Sequence, residues 1–346
     1  MRDNASPAVE PDFEWCYEVV GDVSRTFALT ISELEEPLAR EICVGYLLCR
    51  VADTVEDSDS IPASEQVQLL NLYRDALESG DNASLNAFMD EVEAWVPASP
   101  SADWRVVAET PRLLQTFAAL PEESQDEIRP AVLEMIDGMG MFIDRYAADG
   151  GLRIETVDEL EEYCWYVAGT VGHLVTGLVA RDAPERTQEQ LYDVASSFGL
   201  LLQLVNVAKD VSVDYDEENN VYVPSELLDR HGLDHEDIGD ETAGEAFTPV
   251  INSLVSRAKK YTDEARTWLE TMPTSRGNTL SAWAIPYLLA IGTMRELRTR
   301  PADVMLDGDV KVSRDEVHAL LDAFAGEDRP SIEELQTEIK NSQLGQ

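Results

Sequence analysis

Two short acidic runs stand out because of the residues beside them. Tyr46, Arg50, Asp53 and Asp57 fall at spacings of 4, 3 and 4, which sets them along one helix face with Glu56 alongside. Gln203, Asn206, Asp210 and Asp214 fall at spacings of 3, 4 and 4, a second polar stripe among Phe198, Leu200, Leu201, Leu202, Leu204, Val205 and Val207. Carboxylates one turn apart can share a hard cation such as Mg²⁺. That ion takes oxygen ligands, keeps several waters, and commonly fills its remaining positions with substrate phosphates. Asp53, Glu56, Asp57, Asp210 and Asp214 are therefore the expected metal ligands. Acid alone is weak evidence here, because 68 of 346 residues are Asp or Glu and pairs such as Asp158 and Glu162 show the same spacing. A charge run is ordinarily a solvated face. These two runs differ in that each ends a long apolar segment and shares its stripe with other polar residues.

The elements that must position them read as helices. Glu41 to Asp57, Val132 to Tyr146, Val157 to Ala180, Glu189 to Val213, Phe247 to Met272 and Thr279 to Leu297 carry apolar residues at spacings of 3 and 4. Pro97 to Pro100, Asp149-Gly150-Gly151, and Asn219-Asn220 up to Pro224 break the pattern between them. No strand alternation, hairpin signal or internal repeat is evident. The expectation is one all-α domain over 13–325, with polar tails over 1–12 and 326–346. Val157 to Ala180 and Phe198 to Val213 are apolar nearly all round, so both are expected to be central, and their few polar residues need partners.

Composition narrows the class further. The net charge of −42, with 26 bases against 68 acids, repels nucleic acid and anionic lipid. The acid is dispersed among intact apolar segments, which disfavours disorder and suggests adaptation to high salt, as in a halophile. Cys16, Cys43, Cys49 and Cys164 form no CxxC pair and read as buried thiols of a reducing compartment. The N-terminus does not resemble a signal peptide, and no apolar run reaches the roughly 18 residues of a membrane span. A cytoplasmic protein, at most peripheral to a membrane and without an obligate protein partner, is expected. His173 lies on an apolar helix, and His231 and His235 read as surface residues. No GxGxxG is present, so no Rossmann domain is expected.

At these residues the chain resembles the squalene and phytoene synthase family, from about Ser24 to Arg314. Ser24-Arg25-Thr26-Phe27 is similar to the family's opening motif. Tyr46 to Asp57 resembles its first aspartate-rich motif with the leading Tyr and Arg. Gly138-Met139-Gly140-Met141 is similar to a short Met/Gly segment. Tyr163-Cys164-Trp165-Tyr166-Val167-Ala168-Gly169 resembles the central motif, and Gln203 to Asp214 the second aspartate motif. Tyr166, the stretch Ala284-Ile285-Pro286 with Leu289 to Met294, and the segment Val310 to Arg314 lean toward the squalene synthases within the family. The chain departs from the family pattern at Leu204, Lys209, Val213, Asn219-Asn220 and Thr176-Gly177.

The resemblance implies an all-α isoprenoid synthase fold, farnesyl diphosphate as substrate, Mg²⁺ and NADPH. It implies head-to-head coupling to presqualene diphosphate and reductive rearrangement to squalene. The alternatives are a phytoene- or dehydrosqualene-type synthase acting without NADPH and, more remotely, a non-catalytic helical interaction protein. Tyr163 is the implied base, with Tyr46 sharing its proton and Arg50 meeting the diphosphate. Ser24, Arg25, Thr26, Phe27, Arg50, Tyr166, Gln203 and Asn206 are the implied substrate contacts. Arg25, Arg50, Asn206, Lys311 and Arg314 are the implied dinucleotide contacts. A phenol with a pKa near 10 would serve as base if Arg neighbours lowered it or if pyrophosphate took the proton through it.

Overall fold

The computed structural model describes residues 11–273, 279–306, 310–325 and 330–344. The chain runs through α1 (Phe13–Val23), α2 (Arg25–Glu33), α3 (Leu38–Glu56), α4 (Ala63–Ser79), α5 (Asn82–Val92), α6 (Ala102–Ala108), α7 (Thr110–Ala118) and α8 (Glu122–Arg145). It continues through α9 (Val157–Cys164), a π-helical segment Trp165–Gly169, α10 (Thr170–Ala180), α11 (Glu185–Asp193), α12 (Ala195–Lys209), α13 (Val211–Glu218) and α14 (Ser225–Asp229). The last part holds α15 (Gly244–Ala258), α16 (Thr262–Thr271), α17 (Thr279–Thr299), a 3₁₀ turn Pro301–Met305, α18 (Arg314–Ala325) and α19 (Ile332–Asn341).

Local chemistry sets many of the starts. Asp12 accepts from Trp15 N, Ser24 from Phe27 N and Thr156 from Glu159 N, each satisfying an orphan donor of a first turn. The packing closes a ring. α3 touches α2 and α8, α8 touches α10 and the π segment, both of these touch α12, α12 touches α17, and α17 returns to α2. Val44, Leu47, Leu48, Val51 and Ala52 fill the buried side of α3 completely. Small residues allow the close approaches. A Cβ at Gly199 would lie 2.1 Å from the Ala168 carbonyl, and one at Gly172 would lie 2.3 Å from that of Ala195.

The six expected helices are present, with three local differences, one being the 3₁₀ turn Lys259–Tyr261 that divides Phe247 to Met272 into α15 and α16. Glu189 to Val213 is divided at Val194 and at Asp210, where the backbone leaves helical values (φ −103, ψ 12). Val157 to Ala180 is continuous but passes through one π turn, closed by Thr170 N–H to Trp165 O. α1, α2, α4 to α7, α18 and α19 are additional to the six expected helices, although α4 carries buried Leu69, Leu70, Tyr73, Ala76 and Leu77 largely at spacings of 3 and 4. The segment 326–346 was expected to be a polar tail. Instead, within its described part α19 is fixed by a capping box between Ser331 and Glu334, and it buries Ile332, Leu335 and Ile339 against α17. Ten of the twelve residues of the expected N-terminal tail lie outside the described residues. The stretch Glu185–Lys209 is long and apolar enough to cross a membrane by length and composition, and 61% of its apolar window is buried inside the fold. It is explained as the core packing of α12 against α10, α15, α16 and α17.

Candidate active site

The first acidic run occupies the last turns of α3. Glu56 is buried, while Asp53 and Asp57 are partly open. The end of α3 is tied down by Gln66, whose Nε2 donates to the carbonyls of Val55 (3.0 Å), Glu56 (2.7 Å) and Ser58 (3.1 Å). Arg50, one turn earlier, donates from Nε to Asp103 Oδ1 at 2.7 Å and lies 3.5 Å from Asp53 Oδ2. Tyr46, one turn earlier again, stacks on Phe27 of α2 with centroids 3.9 Å apart. Ser24 is bonded to the Tyr46 hydroxyl and caps α2. One end of the site thus joins α2, α3 and α6.

The second run lies where α12 ends and α13 begins. Asp210 is contacted by Lys209, and Asp214 N–H bonds back to Asp210 O at 2.8 Å, so the chain turns onward past the kink. One turn beyond Asp214, Glu218 ends α13. Asn219 then adopts a left-handed conformation (φ 55), and its side chain bonds Arg153 and Gly150. A parallel bridge between Arg153 and Val221 fixes this corner.

The electrostatics show that the two runs face each other. Coulombic influence decays with separation. The largest charge acting on Asp57 is Glu218 of α13, ahead of its own helix neighbours Glu56 and Asp53. Burial first, and then these like charges, hold Asp57 and Glu56 well above the usual carboxylate range. Burial also pushes Asp53 up to about 6 against the pull of Arg50, Asp214 up to about 8, and Glu218 up to about 7 against its bond from Asn220. The placement compounds the cost. Asp57 and Glu218 stand at helix C-termini, the negative end of the dipole, whereas Asp210 caps the end of α12 and the start of α13 at once.

Such a site fits hard divalent cations. Its donors are carboxylate oxygens, their charges repel, and the helix ends add to the negative potential. Asp53, Glu56, Asp57, Asp210, Asp214 and Glu218 are the residues that could hold them. Among the described residues no three such groups already converge as a closed cage.

Tyr163 is buried at the same place. Its hydroxyl is 3.3 Å from Glu56 Oε1 and 3.3 Å from the Tyr222 hydroxyl, and the two rings stack at 4.9 Å. Burial, Glu56 and Tyr222 all raise its pKa well above 10, and Asp57 adds to this. None of the largest influences on it is an arginine and the net shift is upward, so the expected lowering by Arg neighbours does not occur. Beyond Phe27, aromatic rings continue inward from Trp283 (6.2 Å) to Phe198 (6.0 Å) and Trp268 (4.6 Å). Trp268 Nε1 donates to Thr176, whereas the buried Trp283 Nε1 has no partner among the described residues.

Other expected site residues lie elsewhere. Tyr166 packs over Gly138 and lines a separate cavity of about 470 Å³ with Pro130, Leu133 and Met141; its ring lies 6.4 Å from Phe142, which also meets Tyr163 at 5.2 Å. Gln203 is half-buried and Asn206 exposed, on the turns of α12 before Asp210. Arg25 and Thr26 are exposed at the start of α2. Lys311 and Arg314 are exposed before and at the start of α18, which packs on α17. Leu204 is wholly buried, which suits an apolar residue at this departure from the family pattern. His235 is half-buried on the Val223 carbonyl, a structural contact. Glu218, Asn220, Tyr222, Asp103 and Gln66 were not picked out from sequence. The Asp210, Asp214, Glu218 spacing was a usable signal, masked by reading Asn219-Asn220 only as a break.

A family model described as squalene/phytoene synthase matches residues 20–316. Squalene synthase 1 of Arabidopsis thaliana is 28% identical over 82% of this chain, and the match spans 65% of that relative's length. Presqualene diphosphate synthase of Botryococcus braunii is also 28% identical, over 73% of this chain and 58% of the relative. The chain therefore spans somewhat less than two thirds of the curated relatives it matches. A structure described as the complex of TcSQS with the ligand BPH1237 matches with a TM-score of 0.76 at 23% identity, covering 95% of this chain and 97% of that one, a likeness of fold. With its helical ring, its facing acidic helix ends and this match over most of its length, the chain belongs to the squalene/phytoene synthase family.

Proposed function

We propose that this protein couples two farnesyl diphosphates head to head into presqualene diphosphate and reduces that intermediate to squalene with NADPH. The observation that carries the proposal is the mutual repulsion of the α3 and α13 ends, where Glu218 is the strongest charge acting on Asp57 and also acts on Glu56. Ionising an allylic diphosphate leaves pyrophosphate, a concentrated anion, and carboxylates can attract it only through cations. Mg²⁺ held by Asp53, Glu56, Asp57, Asp210, Asp214 and Glu218 would neutralise the leaving group. Arg50, already at this rim, offers a guanidinium to a diphosphate oxygen. Lys209 stands at the other rim in the place where the family commonly has Arg.

Tyr163 acts in this scheme as a relay. A raised phenol pKa does not suit a free base. Its hydroxyl oxygen can take the proton lost from the substrate carbon as its own hydrogen passes to the departing pyrophosphate. Tyr46, bonded to Ser24 and beside Arg50, is the second hydroxyl at the rim. The rings of Phe27, Trp283, Phe198 and Trp268 supply an apolar, aromatic wall suited to a prenyl chain and to a carbocation.

The residues expected to hold the dinucleotide lie on separate elements. Arg25 and Arg50 belong to α2 and α3, Asn206 to α12, and Lys311 and Arg314 to the α18 end. The reductive half rests on the family likeness, and no step is assigned to these side chains. The product is water-insoluble, so release toward a bilayer is part of the proposal. The test is incubation with labelled farnesyl diphosphate and Mg²⁺, with and without NADPH. Presqualene diphosphate without NADPH and squalene with it are expected. A product unchanged by NADPH, or a strong preference for geranylgeranyl diphosphate, overturns the reading in favour of a dehydrosqualene- or phytoene-type synthase.

A further inference from the structure

A phenol carries one hydrogen, yet the Tyr163 oxygen has two neighbours at 3.3 Å, Glu56 Oε1 and the Tyr222 hydroxyl. The Tyr222 oxygen is held from outside the pair. Asn220 is buried, and its Oδ1 accepts from Leu152 N–H at 2.9 Å, which fixes which end of the amide is the donor. Its Nδ2 therefore faces the Tyr222 oxygen, at 3.2 Å. That oxygen also accepts from the Tyr163 hydroxyl, so the single Tyr163 hydrogen is shared between Tyr222 and Glu56 Oε1. Asn220 in turn is held by the corner that joins residues 150–154 to 219–222, where Val221 N bonds Leu152 O at 2.8 Å and Ile154 N bonds Val221 O at 3.1 Å.

We infer that Asn220 and Tyr222 are positioning residues for Tyr163. The Asn220 amide holds the Tyr222 oxygen in place, and that oxygen accepts from Tyr163, which fixes the reacting hydroxyl beside Glu56 at the diphosphate rim. The inference rests on the proposed coupling reaction and deepens it. It also gives a physical role to the departure at Asn220, whose amide both anchors the corner and fixes the Tyr222 hydroxyl. Neither residue touches substrate in this scheme. Both act through Tyr163.

The test compares Tyr222→Phe, which keeps the stacked ring and removes only the hydroxyl, with Asn220→Ala, Tyr163→Phe and the Tyr163→Phe/Tyr222→Phe double variant. Wild-type coupling of farnesyl diphosphate is measured first; its absence overturns the functional reading and, with it, this inference. Given coupling, Tyr222→Phe is expected to lower kcat about tenfold with KM and thermal midpoint nearly unchanged, the signature of lost orientation rather than lost binding. The double variant should be no slower than Tyr163→Phe alone, because the Tyr222 hydroxyl acts only through that of Tyr163. Full kcat in Tyr222→Phe, or losses that multiply in the double variant, overturns the inference. If Asn220→Ala does not fold, Tyr222→Phe still decides the question.

Discussion

Glu218 stands one turn past Asp214, at the end of α13, and is the strongest charge felt by Asp57 across the site. Its removal should therefore have opposite effects on the empty and the loaded protein. Glu218→Gln is expected to raise the thermal midpoint in EDTA, by relieving repulsion, and to shrink the upward shift that added Mg²⁺ produces. A midpoint lowered in EDTA would contradict the facing of the two runs. The pH dependence has a definite sign. Asp214 at about 8 and Glu218 at about 7 hold protons more tightly folded than unfolded. Their contribution to stability is present at low pH and is lost as pH rises through the folded values. Between about pH 6.5 and 8.5, above the range of the histidines and of ordinary carboxylates, the metal-free midpoint should fall, and Mg²⁺ should restore more of it at the upper end. A flat profile in EDTA over that window would count against the cluster. At this scale the sequence made Asp53, Asp57, Asp210 and Asp214 legible, because helical spacing is visible in one dimension. It hid Tyr222 and Asn220, whose roles depend on a corner contact with residues 152–154 that no periodicity encodes.

The π segment meets α12 at Gly199 and α8 at Gly138, and the two contacts differ in kind. A Cβ on Gly199 would strike the Ala168 carbonyl, which is backbone and cannot turn away, whereas one on Gly138 would strike the Tyr166 ring at 2.1 Å. Both Gly199→Ala and Gly138→Ala should lower stability by about 1–3 kcal/mol in urea unfolding. Only Gly138→Ala should be relieved by adding Tyr166→Ala, since that removes the obstacle. Equal behaviour of the two pairs would contradict this packing. Tyr166 lies three residues after Tyr163 in the same motif, and a π turn begins between them at Trp165. An extra residue per turn is invisible to a 3.6-residue count. The kink at Asp210 was hidden for the same reason, because Gln203 to Asp214 keeps its spacing through a backbone that does not stay helical. Buried Glu41, bonded to Ser124 at 2.6 Å and Arg181 at 3.2 Å, is an acid of α3 with a structural role, so residue type alone did not separate framework from site.

Across the whole molecule a net charge of −42 acts on a ring whose interior also concentrates acid. Self-repulsion of that size opposes compaction and is screened by salt. The thermal midpoint should therefore rise substantially between low salt and molar KCl. A midpoint insensitive to KCl would show that the dispersed surface charge does not govern stability. The all-α class and the central place of α10 and α12 were legible because their faces are apolar nearly all round. Ring closure through α2 and α17, and the docking of α19, were not, since they depend on contacts between distant segments. The central claim is that two helix ends remote in sequence form one diphosphate site, and it meets its most direct test in Mg²⁺-dependent pyrophosphate release from farnesyl diphosphate. Wild type is compared with the Asp53→Asn/Asp57→Asn variant of one rim and the Asp214→Asn variant of the other. Loss of release in both variants, with folding retained, is the predicted result. Wild-type release with either rim neutralised would contradict the account.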